Sequence, residues 1–137
     1  MTIPEVGKKV NVSVPSTTAN LGPGFDCLGA ALDLKNEFVF TRIEGGGDRF
    51  DLIMESTDGN HLRGGPENLV FRAAQKVWDS ANVSPFALEA RVKLAVPPAR
   101  GLGSSATAIV AGLIGANAIM DSPLSKEKLL ELAIDIE

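Results

Sequence analysis

The chain has 137 residues, of which 45% are hydrophobic and 22% charged, and its formal net charge at pH 7 is −4. This length suits one domain with a real core, and the acidic balance argues against a general surface for nucleic acid or anionic membranes. The single Cys27 cannot form an internal disulfide, and the N-terminus lacks the pattern of a signal peptide. We therefore expect a cytoplasmic protein with no nucleic-acid or membrane partner.

The first half of the chain is predicted to consist of short strands and turns. Valines alternate with polar residues near the N-terminus, which indicates a half-buried strand. Later apolar segments are separated by Lys35-Asn36 and by the turn Gly45–Asp48. The polar stretch Thr57–Gly65 is predicted to be a loop, in which His61 is solvated and has no neighbouring metal ligands. The predicted strands are Lys9–Pro15, Leu28–Leu34, Glu37–Ile43 and Arg49–Met54.

The second half combines helices with one strand. An apolar stripe that begins after Glu67 includes Trp78, which is predicted to lie in the core rather than to stack on a ligand. Asp121-Ser122-Pro123 separates two later helices, the second with Ser125 as its N-cap. The order of elements predicts an α+β fold of two layers, a sheet and helices. After the helix from Pro66, the predicted elements are the strand Phe86–Val96 and the helices Ser104–Met120 and Ser125–Glu137.

One stretch, Pro97–Thr107, stands between the last strand and a long apolar helix. Gly101 and Gly103 let the backbone approach a ligand closely, and the start of a helix presents free N–H groups and a positive dipole to anions. A well-capped helix start explains the glycines and one serine equally well. Arg100 and the surplus of hydroxyls in the first turn favour a phosphate site. Those hydroxyls belong to Ser104, Ser105 and Thr107.

Three further polar residues are candidates for ligand contacts. Asn20 and Asp26 flank the tight turn Gly22-Pro23-Gly24, where their side chains either face a ligand or bond their own backbone. The residues alone favour the second reading. Asn68, in the first turn of the predicted helix, either faces a ligand or caps that helix.

Two motifs together resemble the GHMP small-molecule kinases. The first is Pro15–Asp26, close to the form found in homoserine kinases, and the second is Pro97–Ala106, which reads Ala-Arg-Gly-Leu-Gly-Ser-Ser-Ala from Ala99. Their order and spacing match the family. The resemblance implies an N-terminal domain of the ribosomal-protein-S5-domain-2-like kind. It also implies ATP-dependent phosphorylation of the homoserine hydroxyl to O-phosphohomoserine, on the route to threonine.

The resemblance also implies roles for residues at matching positions. Asn20 and Asp26 would contact the amino-acid substrate, with Asp26 orienting it and no residue assigned as a catalytic base. Ser105 and Glu137 would hold Mg2+, with Glu131 as the competing carboxylate. The residues expected to bind ATP are Asn68, Pro97, Pro98, Ala99, Arg100, Gly101, Leu102, Gly103, Ser104, Ser105, Ala106 and Thr107.

The last predicted helix has no terminating residue, so residues 1–137 are expected to be the N-terminal, ATP-binding domain of a longer protein. The C-terminal domain of the family would then be missing, and the chain alone would have little or no kinase activity. Alternatives are a GHMP kinase for mevalonate, a sugar or an isoprenoid precursor, and a non-catalytic nucleotide-binding domain of the same fold. The assembly expected of the full-length protein is a homodimer.

Overall fold

A computed structural model describes residues 3–18, 30–47, 49–55, 61–64, 69–93 and 104–136. Within these ranges the chain forms five strands and three helices, numbered here in chain order. The strands are β1 (Lys9–Thr18), β2 (Ala30–Arg42), β3 (Phe50–Glu55), β4 (His61–Gly64) and β5 (Leu88–Lys93). The helices are α1 (Leu69–Ala81), α2 (Ser104–Ile119) and α3 (Lys126–Ile136).

The strands form one sheet in the order β1-β2-β5-β3-β4. Strand β2 pairs antiparallel with both β1 and β5, and β4 pairs antiparallel with β3. The pair of β3 and β5 is parallel, as expected for two strands connected through a helix, here α1. The mixed order confirms the predicted α+β class.

The core lies between one face of the sheet and the helices. On β1 and β2 the inward residues alternate with exposed polar ones, which is the pattern of a sheet covered on one side. The other layer is made by α1 and α2, so the predicted arrangement of two layers is confirmed. Buried sheet residues are Val12, Val14, Phe38, Phe40, Phe50, Leu52, Leu88, Ala90 and Val92, and buried residues of α1 are Val70, Phe71, Ala73, Ala74, Val77 and Trp78.

Trp78 is part of an aromatic cluster inside the core. Its ring centroid lies 5.1 Å from that of Phe86 and 6.3 Å from that of Phe71, both at steep interplanar angles that suit edge-to-face contact. Phe71 in turn contacts Phe50, with 4.9 Å between centroids. The side chain of Trp78 is fully buried. The prediction that Trp78 belongs to the core is confirmed.

Two glycines allow α2 to pack closely on both of its neighbours. A Cβ atom at Gly112 would lie 2.5 Å from the backbone oxygen of Val70 in α1. A Cβ atom at Gly115 would overlap the ring of Phe40 in β2. Since any larger side chain would push α2 away, these positions fix the distance of α2 from α1 and from the sheet.

The predicted break at Lys35-Asn36 is wrong, because β2 continues through both residues. Lys35 is exposed and Asn36 is buried, so the two residues keep the alternation of the strand. Two adjacent polar residues between apolar segments are typical of a turn, which explains the wrong prediction. The strand tolerates Asn36 on its inward face because the side chain has a hydrogen-bond partner there.

The predicted loop Thr57–Gly65 is wrong at His61–Gly64, which forms β4. Its residues pair with β3 from Leu52 to Glu55, so His61 lies in a strand at the edge of the sheet. The pairing uses backbone N–H and C=O groups, which are present whatever the side chain. A polar segment of four residues has no apolar alternation from which a strand could be predicted.

The connection between α2 and α3 follows the prediction. Helix α2 ends at Ile119, and the next turn contains Asp121 and Ser122 with positive φ angles of 62° and 57°. Ser125 caps α3, since its Oγ accepts a hydrogen bond from the N–H of Lys128 at 3.2 Å.

Candidate functional site

The start of α2 is the described part of the predicted phosphate site. The helix begins at Ser104, directly after the segment that contains Gly101 and Gly103, as predicted. The sequence of α2 contains no charged residue, whereas α3 has Glu127 in its first turn. The positive end of the α2 dipole is therefore not neutralised by an acidic residue of its own helix, which favours an anionic ligand.

Thr107 faces the sheet from the first turn of α2. Its side chain is 2% exposed, and its Oγ1 accepts a hydrogen bond from Nδ2 of Asn36 at 3.1 Å. Asn36 is 1% exposed and lies 71 residues earlier in the chain. The hydroxyl of Thr107 thus makes a buried contact with β2, and its binding of ATP stays a prediction.

Asn36 is a residue that the sequence interpretation missed as part of this region. The polar pair Lys35-Asn36 predicts a break between strands at this position. Its position has the same parity as Phe38 and Phe40, which point into the core. A polar residue on the inward face of a strand requires a buried partner, and that requirement is the signal that could have found it.

The register of the sheet attaches the two motifs to β2 at different levels. Lys93, the last residue of β5, pairs with Glu37, the neighbour of Asn36. The end of β5 and the first turn of α2 therefore contact neighbouring residues of β2, Glu37 and Asn36. Thr18, which belongs to the first motif, pairs with Ala30, six residues before Asn36 on β2, a distance of about 20 Å.

Most of the other predicted site residues lie outside the described residues. These are Asn20, Asp26, Asn68, Glu137 and the segment Pro97–Gly103, and the side chains of Ser104 and Ser105 are likewise outside. Ala106 is half-buried in the first turn of α2. The structure therefore brings Thr107 to Asn36 and leaves the remaining assignments as predictions.

Glu131, the alternative carboxylate for the metal, forms an exposed ion pair. Its side chain is 70% exposed and lies 3.4 Å from Nζ of Lys128, a cation that competes with any metal for the carboxylate. Among the described residues there is no group of three or more His, Cys, Asp or Glu side chains that could hold a metal ion.

Two cavities lie away from the first turn of α2. One, of about 530 Å³, is an apolar groove between α2 and α3, and Ile114 and Leu130 are exposed along it. The other, of about 590 Å³, lies between the segment Ile3–Lys8 and the residues Ile119–Asp121 at the far end of α2. Neither cavity includes Asn36 or Thr107.

Comparison with known proteins gives the family. The family described as "GHMP kinases N terminal domain" matches residues 68–137, which include the glycine segment and both later helices. The chain therefore belongs to the GHMP kinases. None of the helices in the described parts of the chain is both long and apolar enough to cross a bilayer.

Individual proteins within this family are similar to the chain in sequence or in structure. A homoserine kinase of Prochlorococcus marinus (strain MIT 9301) is 93% identical over all 137 residues, which are 44% of that relative. The chain thus spans less than half the length of the curated relatives that it matches. The structure also resembles the homoserine kinase of Cytophaga hutchinsonii, with a TM-score of 0.80 and 24% identity over 100% of this chain and 43% of the other. The mevalonate kinase of Methanococcus jannaschii has a TM-score of 0.72 and 16% sequence identity, and the match covers 96% of this chain and 46% of the other. These two structures show the fold alone.

Proposed function

We propose that the full-length protein transfers the γ-phosphoryl group of ATP to the hydroxyl of L-homoserine, giving O-phospho-L-homoserine for threonine biosynthesis. The observation that carries this proposal is the 93% identity to the Prochlorococcus homoserine kinase over the whole chain. In the reaction a bond forms between the homoserine oxygen and the γ-phosphorus. The bond from that phosphorus to the bridging oxygen breaks, ADP leaves, and the hydroxyl proton passes to solvent.

The first turn of α2 would contribute charge neutralisation and positioning. Phosphoryl transfer through a loose transition state depends mainly on holding the reactants in line and on stabilising charge on the phosphoryl oxygens. The free N–H groups at the start of α2 and the backbone of Gly101–Gly103 would donate to the phosphates, with Arg100 as an additional cation. An uncharged first turn supports this role, because it leaves the helix dipole to act on the ligand.

The other contacts are proposed from the family motifs. Asn68 would line the pocket of the nucleotide base, and Asn20 and Asp26 would hold homoserine. Asp26 would orient the attacking hydroxyl by a hydrogen bond, and no residue is assigned as a base. The pairing of Thr18 with Ala30 attaches the first motif to β2, the strand that also contacts α2 through Asn36.

Magnesium is proposed as the ion that accompanies ATP, where it would neutralise phosphate charge. Ser105 and Glu137 are the proposed ligands, whose hydroxyl and carboxylate oxygens are of the hard type that Mg2+ prefers. Glu131, paired with Lys128, is the weaker choice.

Residues 1–137 would form the N-terminal, ATP-binding domain, and the remaining length found in the relatives would complete the substrate site. We expect this chain alone to have little or no kinase activity. A homodimer of the full-length protein, a cytoplasmic location and the lack of nucleic-acid and membrane partners stay predictions.

Acceptor-dependent formation of ADP by the purified full-length protein tests the proposal. With ATP and Mg2+, we expect turnover with L-homoserine and at least about 100-fold lower kcat/KM with mevalonate or galactose, since the wrong acceptor leaves polar groups of the site unpaired. Phosphorus NMR identifies the product. The matched control is the 137-residue chain, for which no homoserine-dependent ADP is expected.

Two outcomes contradict the proposal. Preference for mevalonate or a sugar would assign the protein to another GHMP kinase. Binding of ATP without transfer to any acceptor would favour a non-catalytic nucleotide-binding protein. Homoserine-dependent turnover by the 137-residue chain would overturn the expectation that it is inactive.

A further inference from the structure

A buried hydrogen bond connects the middle of β2 with the first turn of α2. Nδ2 of Asn36 donates to Oγ1 of Thr107 at 3.1 Å, and the two side chains are 1% and 2% exposed. The next two inward positions of the strand hold the buried side chains of Phe38 and Phe40. An asparagine side chain at such a position is costly unless it is paired, so the contact requires an explanation.

This bond constrains α2 in a way that its apolar contacts do not. Contacts at Gly112 and Gly115 set how close the helix lies to α1 and to the sheet. Apolar contacts have little directionality, whereas a hydrogen bond weakens steeply when its distance or angle changes. The bond from Asn36 therefore fixes the rotation of α2 and its position along the axis at one particular turn, the turn that follows the glycine segment.

We propose that Asn36 and Thr107 are positioning residues, whose hydrogen bond holds the first turn of α2 so that its free N–H groups stay aimed at the nucleotide phosphates. This inference rests on the proposed function. Neither side chain touches the nucleotide in this scheme. Because aligned donors are what the site contributes to phosphate binding, a small shift of this turn weakens nucleotide affinity without changing the contacts to the acceptor.

Substitutions in the full-length protein separate positioning from stability. Thr107→Val keeps the shape of the side chain and removes the acceptor, and we expect KM for ATP to rise about tenfold while KM for homoserine stays within about twofold. Thr107→Ser keeps the hydroxyl and should return KM for ATP to within about threefold of the original. In the double variant Asn36→Leu with Thr107→Val neither member of this pair is left facing an apolar side chain, so thermal stability should rise above that of Thr107→Val while KM for ATP stays high.

Asn117→Leu is the matched control, because Asn117 is another buried asparagine that holds α2, at its opposite end. We expect this variant to lower Tm at least as much as Thr107→Val, with KM for ATP within about twofold of the original protein. An equal rise in KM for both variants, or no rise for Thr107→Val, would overturn the inference. Recovery of KM together with Tm in the double variant would also overturn it.

Calorimetric titration with ATP and Mg2+ distinguishes failure of this inference from failure of the proposed function. If the full-length protein transfers no phosphate to homoserine but Thr107→Val weakens nucleotide binding about tenfold, the positioning role stands and the proposed function fails. If homoserine is phosphorylated and nucleotide affinity is the same in both proteins, only the positioning role fails. If the unsubstituted protein binds no nucleotide, both are wrong.

Discussion

The two ends of α2 are held by asparagine side chains in different ways. At its start, Asn36 reaches Thr107 from a strand 71 residues away in sequence. At its end, Asn117 belongs to the helix itself and bonds both backbone groups of Leu124, accepting from the N–H at 2.9 Å and donating to the oxygen at 3.0 Å. One contact is long-range and the other spans seven residues.

The start of α2 is therefore connected to a distant part of the fold, whereas its end is connected to the adjacent part of the chain. The two side-chain hydrogen bonds of Asn117 at the end of α2 lie within residues 117–124 and do not involve the sheet. The start of α2 takes its position from β2 and is correct only when the sheet is assembled. The proposed phosphate site therefore lies at the end of the helix that a long-range hydrogen bond connects to the sheet.

The largest stability effect is expected at the local end. Asn117→Leu removes two hydrogen bonds and leaves a partly buried N–H and a partly buried oxygen of Leu124 without their partner, which should cost about 2–4 kcal/mol. Urea unfolding of the full-length protein measures the loss. A cost below about 0.5 kcal/mol would show that the turn is held by other contacts and that the two ends do not differ as described.

A smaller effect is expected at the cap of α3. Ser125→Ala removes the hydroxyl that accepts from the N–H of Lys128 and should lower the free energy of unfolding by about 1 kcal/mol. Hydrogen exchange should accelerate in the first turn of α3 and not in the first turn of α2. The matched control is Ser84→Ala, an exposed serine between α1 and β5, for which a change below about 0.5 kcal/mol is expected. Equal losses in the two variants would contradict the capping role.

The smallest effect is expected for the ion pair between Lys8 and Asp121. The atoms Nζ and Oδ1 lie 2.9 Å apart, but the side chains are 32% and 89% exposed, so water and salt screen the attraction. Lys8→Met should change the free energy of unfolding by less than about 0.5 kcal/mol, and adding 0.5 M NaCl to the unsubstituted protein should change it about as little. A loss above about 1 kcal/mol would mean that this pair is a third determinant of the α2 position.

Elements with a strong apolar period were predictable from the sequence. The valines of β1, the stripe of α1, the start of α2 and the cap of α3 each agree with the structure because local pattern and tertiary packing favour the same element. The errors have two physical causes. At Asn36 a buried partner 71 residues away overrides a turn-like composition. At His61–Gly64 the backbone of β3 supplies the pairing, which a side-chain pattern does not report.

The sequence motif of the candidate site could be predicted, but the positions of its side chains relative to the sheet could not. The glycines and hydroxyls of residues 101–107 identify a helix start that suits phosphate. They do not reveal that Thr107 points to β2, because this depends on the register of a strand far away in sequence. The pairing of Lys93 with Glu37, which places the end of β5 beside Asn36, depends equally on the order of the strands.

The strand order also has a consequence for synthesis of the chain on the ribosome. Strand β2, the longest in the described sheet, can pair with β1 as soon as both emerge, but its other edge pairs with β5, which ends about 50 residues later. At about 5–20 residues per second, roughly 2–10 s pass before that partner exists. During this interval an open edge that contains Phe38 and Phe40 is available to other strands. The length of the segment from β3 to α1 therefore sets how long the nascent chain is exposed to mispairing.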